Sequence, residues 1–194
     1  MSQQMLKVVG KTLGLVVVLL SFGCGGGMVV PLSYSPAISP QSCETEIGVQ
    51  PLLDTRSQDQ LGQTHNGGRY FPQDNVSQWA SQALFNELEQ AECPKPVLLQ
   101  SASGATPSWI IAGAVEKLTV NQTQLVRFTG QLRLRLQIRH GNKQVFENTY
   151  TLTQQRTAFP DSDVPAELLR SMLQDILQEA VPNLIQLIED KRRS

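Results

Sequence analysis

Cysteine is the residue type whose number and spacing in this chain bear most directly on chemistry. The 194-residue sequence has three cysteines, Cys24, Cys43 and Cys93, and two histidines, His65 and His140. No cysteine or histidine lies within metal-ligand spacing of another, so the sequence predicts no metal site. An odd number of cysteines in an exported protein leaves one thiol to explain.

Cys24 follows a segment that is typical of an export signal. Two lysines precede the apolar stretch 13–22, which is about half of what a membrane-spanning helix needs, and glycines follow. A lipoprotein signal peptidase would cut before Cys24, whose sulfur would then carry lipid. An ordinary signal peptidase would accept the small residues Ser21 and Gly23. Both chemistries predict a signal peptide over residues 1–23.

The cysteine count favours lipid attachment at Cys24. If its sulfur carries a lipid such as palmitate, the remaining Cys43 and Cys93 can pair as a disulfide; two buried free thiols are the alternative. Cys43 begins a predicted strand and Cys93 ends a predicted helix. Antiparallel packing of that helix on that strand would bring the two cysteines together, as a disulfide requires.

The other polar residues form no catalytic pattern. Neither histidine has a recognisable nucleophile or metal partner, the carboxylates are scattered, and no Lys-Ser/Thr follows "GCGGG" to make a phosphate loop. Without residues 1–23 the chain has 14 Lys and Arg against 17 Asp and Glu, which argues against a nucleic-acid partner. We predict no enzymatic activity and no cofactor; an enzyme using His65 in a concave site is the alternative.

The segment after the signal divides into a tether, a strand and a loop. Residues 24–43 are rich in Gly, Pro and Ser and are predicted to be a flexible tether, with Met28–Val30 as a candidate edge strand. A strand is predicted over 44–54, with a bend at Pro51. The polar stretch 55–73 is predicted to be a long loop, a feature that is often functional.

Two helices are predicted from apolar spacing. The first covers residues 75–92 and places Trp79 in the core. The second begins near Asp163, and Pro182 is expected to kink or interrupt it. Its generous apolar surface would either pack across the whole sheet or bind a partner.

The strands between the helices include a long hairpin. A short strand is predicted near 97–99. Residues 109–120 are predicted to form a central strand, because residues 110–115 are apolar on both faces. Both hairpin strands bury even-numbered residues, so paired positions must sum to an even number, which favours a three-residue loop 141–143 with a bulge. The outward arginines form a solvated face or contact phospholipid headgroups or an acidic partner: Arg127, Arg133, Arg135 and Arg139.

These elements predict one domain over residues 44–190 of the α/β (α+β) class. Its sheet would be mixed or mostly antiparallel, with about four to five strands backed by two helices in the order β-α-β-β-β-β-α.

The sequence resembles small bacterial lipoproteins of the YajG type and the auxiliary lipoproteins of ABC-type lipid transport systems. The resemblance covers roughly residues 44–190 and rests on the signal that ends in Cys24 and on three further stretches. These are "PLLDTRSQDQLG", which contains Asp54, Arg56 and Gly62, then "VSQWASQALFNEL" and "IIAGAVEKL".

The resemblance implies a non-enzymatic, lipid-anchored accessory or scaffold protein that faces the periplasm. Its implied partners are the membrane, through the lipid anchor, and a protein of an envelope assembly or lipid transport system; a small-molecule or lipid ligand is the alternative. Gly25 and Gly26 follow Cys24, which by analogy with enteric bacteria implies the outer membrane.

Two further expectations accompany this resemblance. Asp54, Arg56 and Gly62 are candidate residues of a partner-binding loop, while a structural ion pair is the alternative for Asp54 and Arg56. The alternative function is a soluble secreted or periplasmic binding protein that ordinary signal peptidase cleaves before Cys24.

Overall fold

The computed structural model describes residues 27–41, 43–94, 96–99, 107–159 and 163–193. The predicted signal peptide and Cys24 lie outside these ranges. The described chain has mixed sheets and two helices, so the predicted α+β class is confirmed.

The elements follow one another in an order richer in strands than the sequence predicts. The strands are β1 (Met28–Val30), β2 (Ile47–Val49), β3 (Leu53–Asp54), β4 (Gly62–Gln63), β5 (Arg69–Pro72), β6 (Val97–Leu98), β7 (Trp109–Gln124), β8 (Arg127–His140) and β9 (Lys143–Thr157). The helices are α1 (Val76–Gln90) and α2 (Val164–Arg193).

The larger sheet has the strand order β6-β2-β7-β8-β9, and β3 also pairs with β7. The pairs around β2 and β3 are parallel, whereas β7, β8 and β9 are antiparallel. A register shift in β7 between Val115 and Lys117 leaves Glu116 as an extra residue. Before this bulge the odd-numbered Val115 faces the core, whereas after it the even-numbered Leu118 and Val120 do.

The β8–β9 hairpin has the predicted even register over most of its length. Leu136 lies opposite Asn148, and Ile138 lies opposite Phe146. The predicted three-residue loop is wrong, because His140 pairs with Lys143 across a two-residue turn that Gly141 enters at a φ of 55°. The register shift lies inside the strands, between Ile138 and Arg139, so the bulge that restores even pairing is not in the loop.

Helix α1 begins where the sequence predicts. The Asn75 side chain accepts a hydrogen bond from the backbone N–H of Gln78 at 3.0 Å, which satisfies one of the free amides of the first turn. Trp79 is buried in the core, as predicted from its spacing with the other apolar residues.

Helix α2 continues through Pro182 without interruption, contrary to one of the two predicted outcomes. Proline removes a single backbone donor, and buried residues on both sides of it, among them Leu177 and Leu184, hold the helix on the sheet. Its apolar stripe is thus occupied by the core. Within the described ranges, neither helix is both long and apolar enough to cross a membrane.

A smaller sheet has the order β1-β5-β4 and corrects two predictions. The predicted polar loop contains the hairpin of β4 and β5, because Leu61 and Tyr70 in that stretch are buried apolar residues. The predicted tether contributes β1, in which Val30 is buried, so the edge strand considered for Met28–Val30 is present.

Candidate functional site

The segment that the sequence predicts to be a flexible tether lies along helix α1 instead. We call residues 32–41 the strap. The Leu32 N–H donates to Asp74 just before α1 at 3.1 Å, and the Gln41 N–H donates to the carbonyl of Ala91 just after it at 3.3 Å. The strap therefore runs parallel to the helix for about 26 Å.

Glu87 on α1 holds the middle of the strap. Its side chain is fully buried, and it accepts hydrogen bonds from the Tyr34 hydroxyl and from the backbone N–H groups of Ala37 at 2.9 Å and Ile38 at 3.1 Å. Burial first, then the hydrogen bond to Glu87 and its charge, raise the pKa of Tyr34 well above its usual value. A buried carboxylate with three donors is a satisfied group, so this is a structural lock.

Further contacts on both sides fix the strap between the two helices. The indole Nε1–H of Trp79 donates to the carbonyl of Ser33 at 3.0 Å. From α2, Gln174 donates to the carbonyl of Ser35 at 2.8 Å, and Gln178 donates to that of Ala37 at 3.2 Å. As its Gly, Pro and Ser content predicts, the strap has no regular secondary structure. Side chains of the two helices nevertheless form hydrogen bonds with its backbone groups.

A disulfide between Cys43 and Cys93 closes the far end of the strap. The two Cα atoms are 4.7 Å apart. The Ser77 hydroxyl donates to the carbonyl of Leu52, so the first turn of α1 lies beside the end of the segment that contains β2 and β3. The disulfide places the end of α1 beside the beginning of that segment. This is the antiparallel arrangement on which the predicted pairing depends, and the structure contains that pairing.

Asp54 and Arg56, two of the predicted loop residues, bind each other. Arg56 donates from Nε and Nη2 to the two carboxylate oxygens of Asp54, each at 2.8 Å. These hydrogen bonds hold the pKa of Asp54 below its usual range. Arg56 Nη1 is buried without a hydrogen-bond partner in the part of the chain that the structure describes.

Gly62, the third predicted loop residue, joins the smaller sheet to β7. The carbonyl of Leu61 beside it accepts from the Val120 N–H at 2.7 Å. Gly62 has a φ of 145°, and a Cβ there would lie 2.1 Å from the Val120 carbonyl oxygen, so only glycine fits. The structure gives Gly62 this backbone role, and it does not join the pair formed by Asp54 and Arg56.

An open groove of about 320 Å³ lies beside that pair. It is lined by Arg56, Ser57, Gln58, Gln60, Glu116, Lys117, Leu118 and Thr119. The bulge in β7 turns Glu116 toward β8, where its carboxylate binds Arg133 at 2.9 Å and Arg135 at 3.1 Å. Two of the four predicted outward arginines are therefore neutralised within the sheet face.

The two histidines lie apart from this groove. His65 is exposed at the turn between β4 and β5, and His140 is exposed and stacks on Trp109, with ring centroids 4.2 Å apart. Nowhere in the described ranges do three or more His, Cys, Asp or Glu side chains come together as metal ligands would.

The lock at Glu87 is a structural feature that the sequence did not predict. The signal was present, because Glu87 follows Ala83 and Leu84 by four and three residues and so lies on the apolar face of α1. A carboxylate on such a face requires buried donors, and the neighbouring strap supplies them.

Comparison with known proteins identifies solved structures with a similar fold. No family model and no curated protein matches the sequence. Among solved structures, the protein XCC0632 from Xanthomonas campestris, of the family DUF330, is similar with 10% sequence identity and a TM-score of 0.65, covering 87% of this chain and 100% of that one. An uncharacterized protein is similar with 10% identity and a TM-score of 0.55, covering 82% and 99% of the two chains.

A bacterial lipoprotein also occurs among the similar structures. Rare lipoprotein B from Shewanella oneidensis matches with 8% identity and a TM-score of 0.37, covering 74% of this chain and 96% of that one, an overlap too loose to bear on this chain. The chain thus shares its α+β fold with XCC0632, and identities this low concern the fold alone. The YajG-type resemblance itself stays an expectation.

Proposed function

We propose that this protein is a lipoprotein anchored through Cys24, facing the periplasm and serving as a non-enzymatic accessory or scaffold of an envelope assembly or lipid transport system. The observation that carries the proposal is the bond between Cys43 and Cys93. Because these two cysteines are joined, Cys24 has no cysteine left in its own chain to pair with, and it directly follows the apolar segment.

Compartment and destination follow from the same residues. Disulfides persist in oxidising compartments such as the bacterial periplasm, which supports export of the domain. Gly25 and Gly26 after Cys24 favour the outer membrane. We expect Gly25→Asp to shift the protein toward the inner membrane on a density gradient in an enteric host, while Gly26→Asp serves as the matched control.

The accessory role rests on the surface of the domain. The groove beside Arg56 is open and lined mostly by polar side chains. Such a surface suits a polar segment of an envelope protein, with a small molecule or lipid headgroup as the alternative ligand. Cross-linking through Gln58→Cys in intact envelopes identifies what lies there, and Gln144→Cys on the distant hairpin is the control.

Metabolic labelling with a palmitate analogue tests the anchor. We expect label and an intact mass with acyl groups on the wild type, no label on Cys24→Ala, and full label on the Cys43→Ala/Cys93→Ala variant. Label retained by Cys24→Ala would contradict the proposal.

The alternative is a soluble secreted or periplasmic binding protein cleaved by ordinary signal peptidase, for which Ser21 and Gly23 supply small residues. An unmodified Cys24 at or near the mature N-terminus, in protein that stays in the aqueous phase on detergent partitioning, would favour this alternative.

A further inference from the structure

We infer that an exposed apolar patch on the smaller sheet rests on the phospholipid surface into which the acyl chains of Cys24 insert. The patch consists of Val29 on β1 and Phe71 on the neighbouring strand β5, and we call it the β1 patch. The inference rests on the lipidation proposed above and adds an orientation of the domain on its membrane.

The β1 patch belongs to ordered backbone. Val29 lies opposite Phe71 in the parallel pair, so both side chains project from one face of the sheet. The exposed fractions are 62% for Val29 and 36% for Phe71, whereas Val30 and Tyr70 on the opposite face are buried. The Phe71 ring also covers Gly27, where a Cβ would lie 2.9 Å from the ring. The patch is therefore held outward by the sheet.

Chain length places the lipid beside this patch. Three residue steps separate Cys24 from Gly27, which allows at most about 11 Å between their Cα atoms. Gly27 touches Phe71, and beyond it β1 and the strap are bound to the domain, so they add no slack. A lipid on Cys24 would keep Gly27 and the Phe71 ring that it touches close to the membrane surface, with Val29 only two residues further along β1.

A bilayer surface suits the β1 patch better than a second protein does. Two apolar side chains, one of them on a three-residue edge strand, offer far less than the roughly 800 Å² per partner of a stable protein interface. Apolar side chains of this kind insert into the headgroup region, where water still reaches the free backbone edge of β1. Arg69, on the same face as Phe71, is exposed, forms no ion pair with any described residue, and suits a lipid phosphate.

Depth-dependent fluorescence quenching tests the inference on the full acylated protein in phospholipid vesicles. An environment-sensitive fluorophore is placed on Val29→Cys, with Phe71→Cys as a second position if the first variant misfolds. The control is Asn142→Cys, since β7 carries the β8–β9 turn roughly 35 Å away from the smaller sheet. We expect nitroxide-labelled lipids to remove most of the emission at position 29 or 71 and to leave that at position 142 unchanged.

Membrane residence supplies a second readout. We expect Val29→Asp to raise the rate of transfer of the acylated protein between vesicles about tenfold, because one apolar side chain leaves the interface. Leu53→Asp is the matched control, because Leu53 is also 62% exposed but belongs to the larger sheet. Its transfer rate should match that of the wild type.

The outcomes separate the inference from the proposed function. An intact mass without acyl groups would overturn both. Acylated protein whose fluorophore at position 29 is quenched by aqueous iodide as strongly as that at position 142 would overturn the inference alone. Shielding from iodide without quenching by lipid nitroxides would show that a protein covers the patch, which also overturns it.

Discussion

Tyr34 on the strap donates its hydroxyl hydrogen bond to Glu87, a fully buried carboxylate on α1. The same carboxylate binds the N–H groups of Ala37 and Ile38. Together with the contacts from Trp79 and α2, this side chain holds a segment that has no regular secondary structure against the domain. In the proposed lipoprotein, the domain would therefore lie close to the lipid on Cys24.

Replacing Glu87 should release the strap. In Glu87→Gln the amide NH₂ would face backbone donors, so we expect a loss of about 2 kcal/mol in the free energy of unfolding. Amide hydrogen exchange at residues 33–38 should accelerate. Glu89→Gln on the exposed side of α1 is the matched control and should change neither quantity. Unchanged exchange in Glu87→Gln would contradict the assigned lock.

Tyr34 should make the protein sensitive to alkaline pH. Its pKa in the fold is raised above 10.0, so the folded state keeps a proton that the unfolded state releases at higher pH. The stabilisation is complete below pH 10 and is lost as pH rises further. The stability difference between the wild type and Tyr34→Phe should be constant below this pH and shrink above it in chemical denaturation. A difference that stays constant at high pH would refute the proposed linkage.

Loss of the disulfide should destabilise the whole domain. The bond closes a loop of 50 residues, for which chain entropy predicts about 4 kcal/mol. In a Cys24→Ala background, we expect Cys43→Ala/Cys93→Ala to unfold at a lower guanidinium concentration. Reductant should destabilise the parent and leave the double variant unaffected. Equal midpoints for the two proteins would show that the bond does not form.

Asp54→Asn should cost about 1 kcal/mol, because the pair with Arg56 is partly solvated. Since Arg56 lowers the pKa of Asp54 in the fold, the pair's contribution is present above pH 3.8 and is lost as pH falls through the folded pKa. Asp59→Asn, an exposed change in the same segment, is the control. If both variants lose equal stability at neutral pH, the pair has no specific role.

Gly62→Ala should destabilise the junction between the two sheets by about 3 kcal/mol, because its Cβ would meet the Val120 carbonyl oxygen and its φ is positive. Gly67→Ala is the control with a positive φ and open space around the site, and it should lose only about 1 kcal/mol. Thermal unfolding compares the two. Similar losses would mean that the contact with Val120 is relieved elsewhere.

Local patterns predicted the long elements well. Helix α1 began where expected, Trp79 lay in the core, and the even register of β8 and β9 appeared because a one-residue slip would expose every apolar side chain. The two short strands β4 and β5 were missed, since two to four residues carry too little periodicity to stand out from a loop. The bulge at Glu116 was also missed.

The sequence by itself determined the class of fold, both helices, the inward faces of the hairpin and the cysteine count that favours the Cys43–Cys93 pair. Each of these depends on spacing or number within the chain. Only the tertiary structure decided that the predicted tether is a bound strap, that Asp54 and Arg56 satisfy each other, and that Gly62 meets Val120. These depend on groups far apart in sequence, and a segment without periodicity is ordered only by the donors and acceptors that the rest of the fold presents to it.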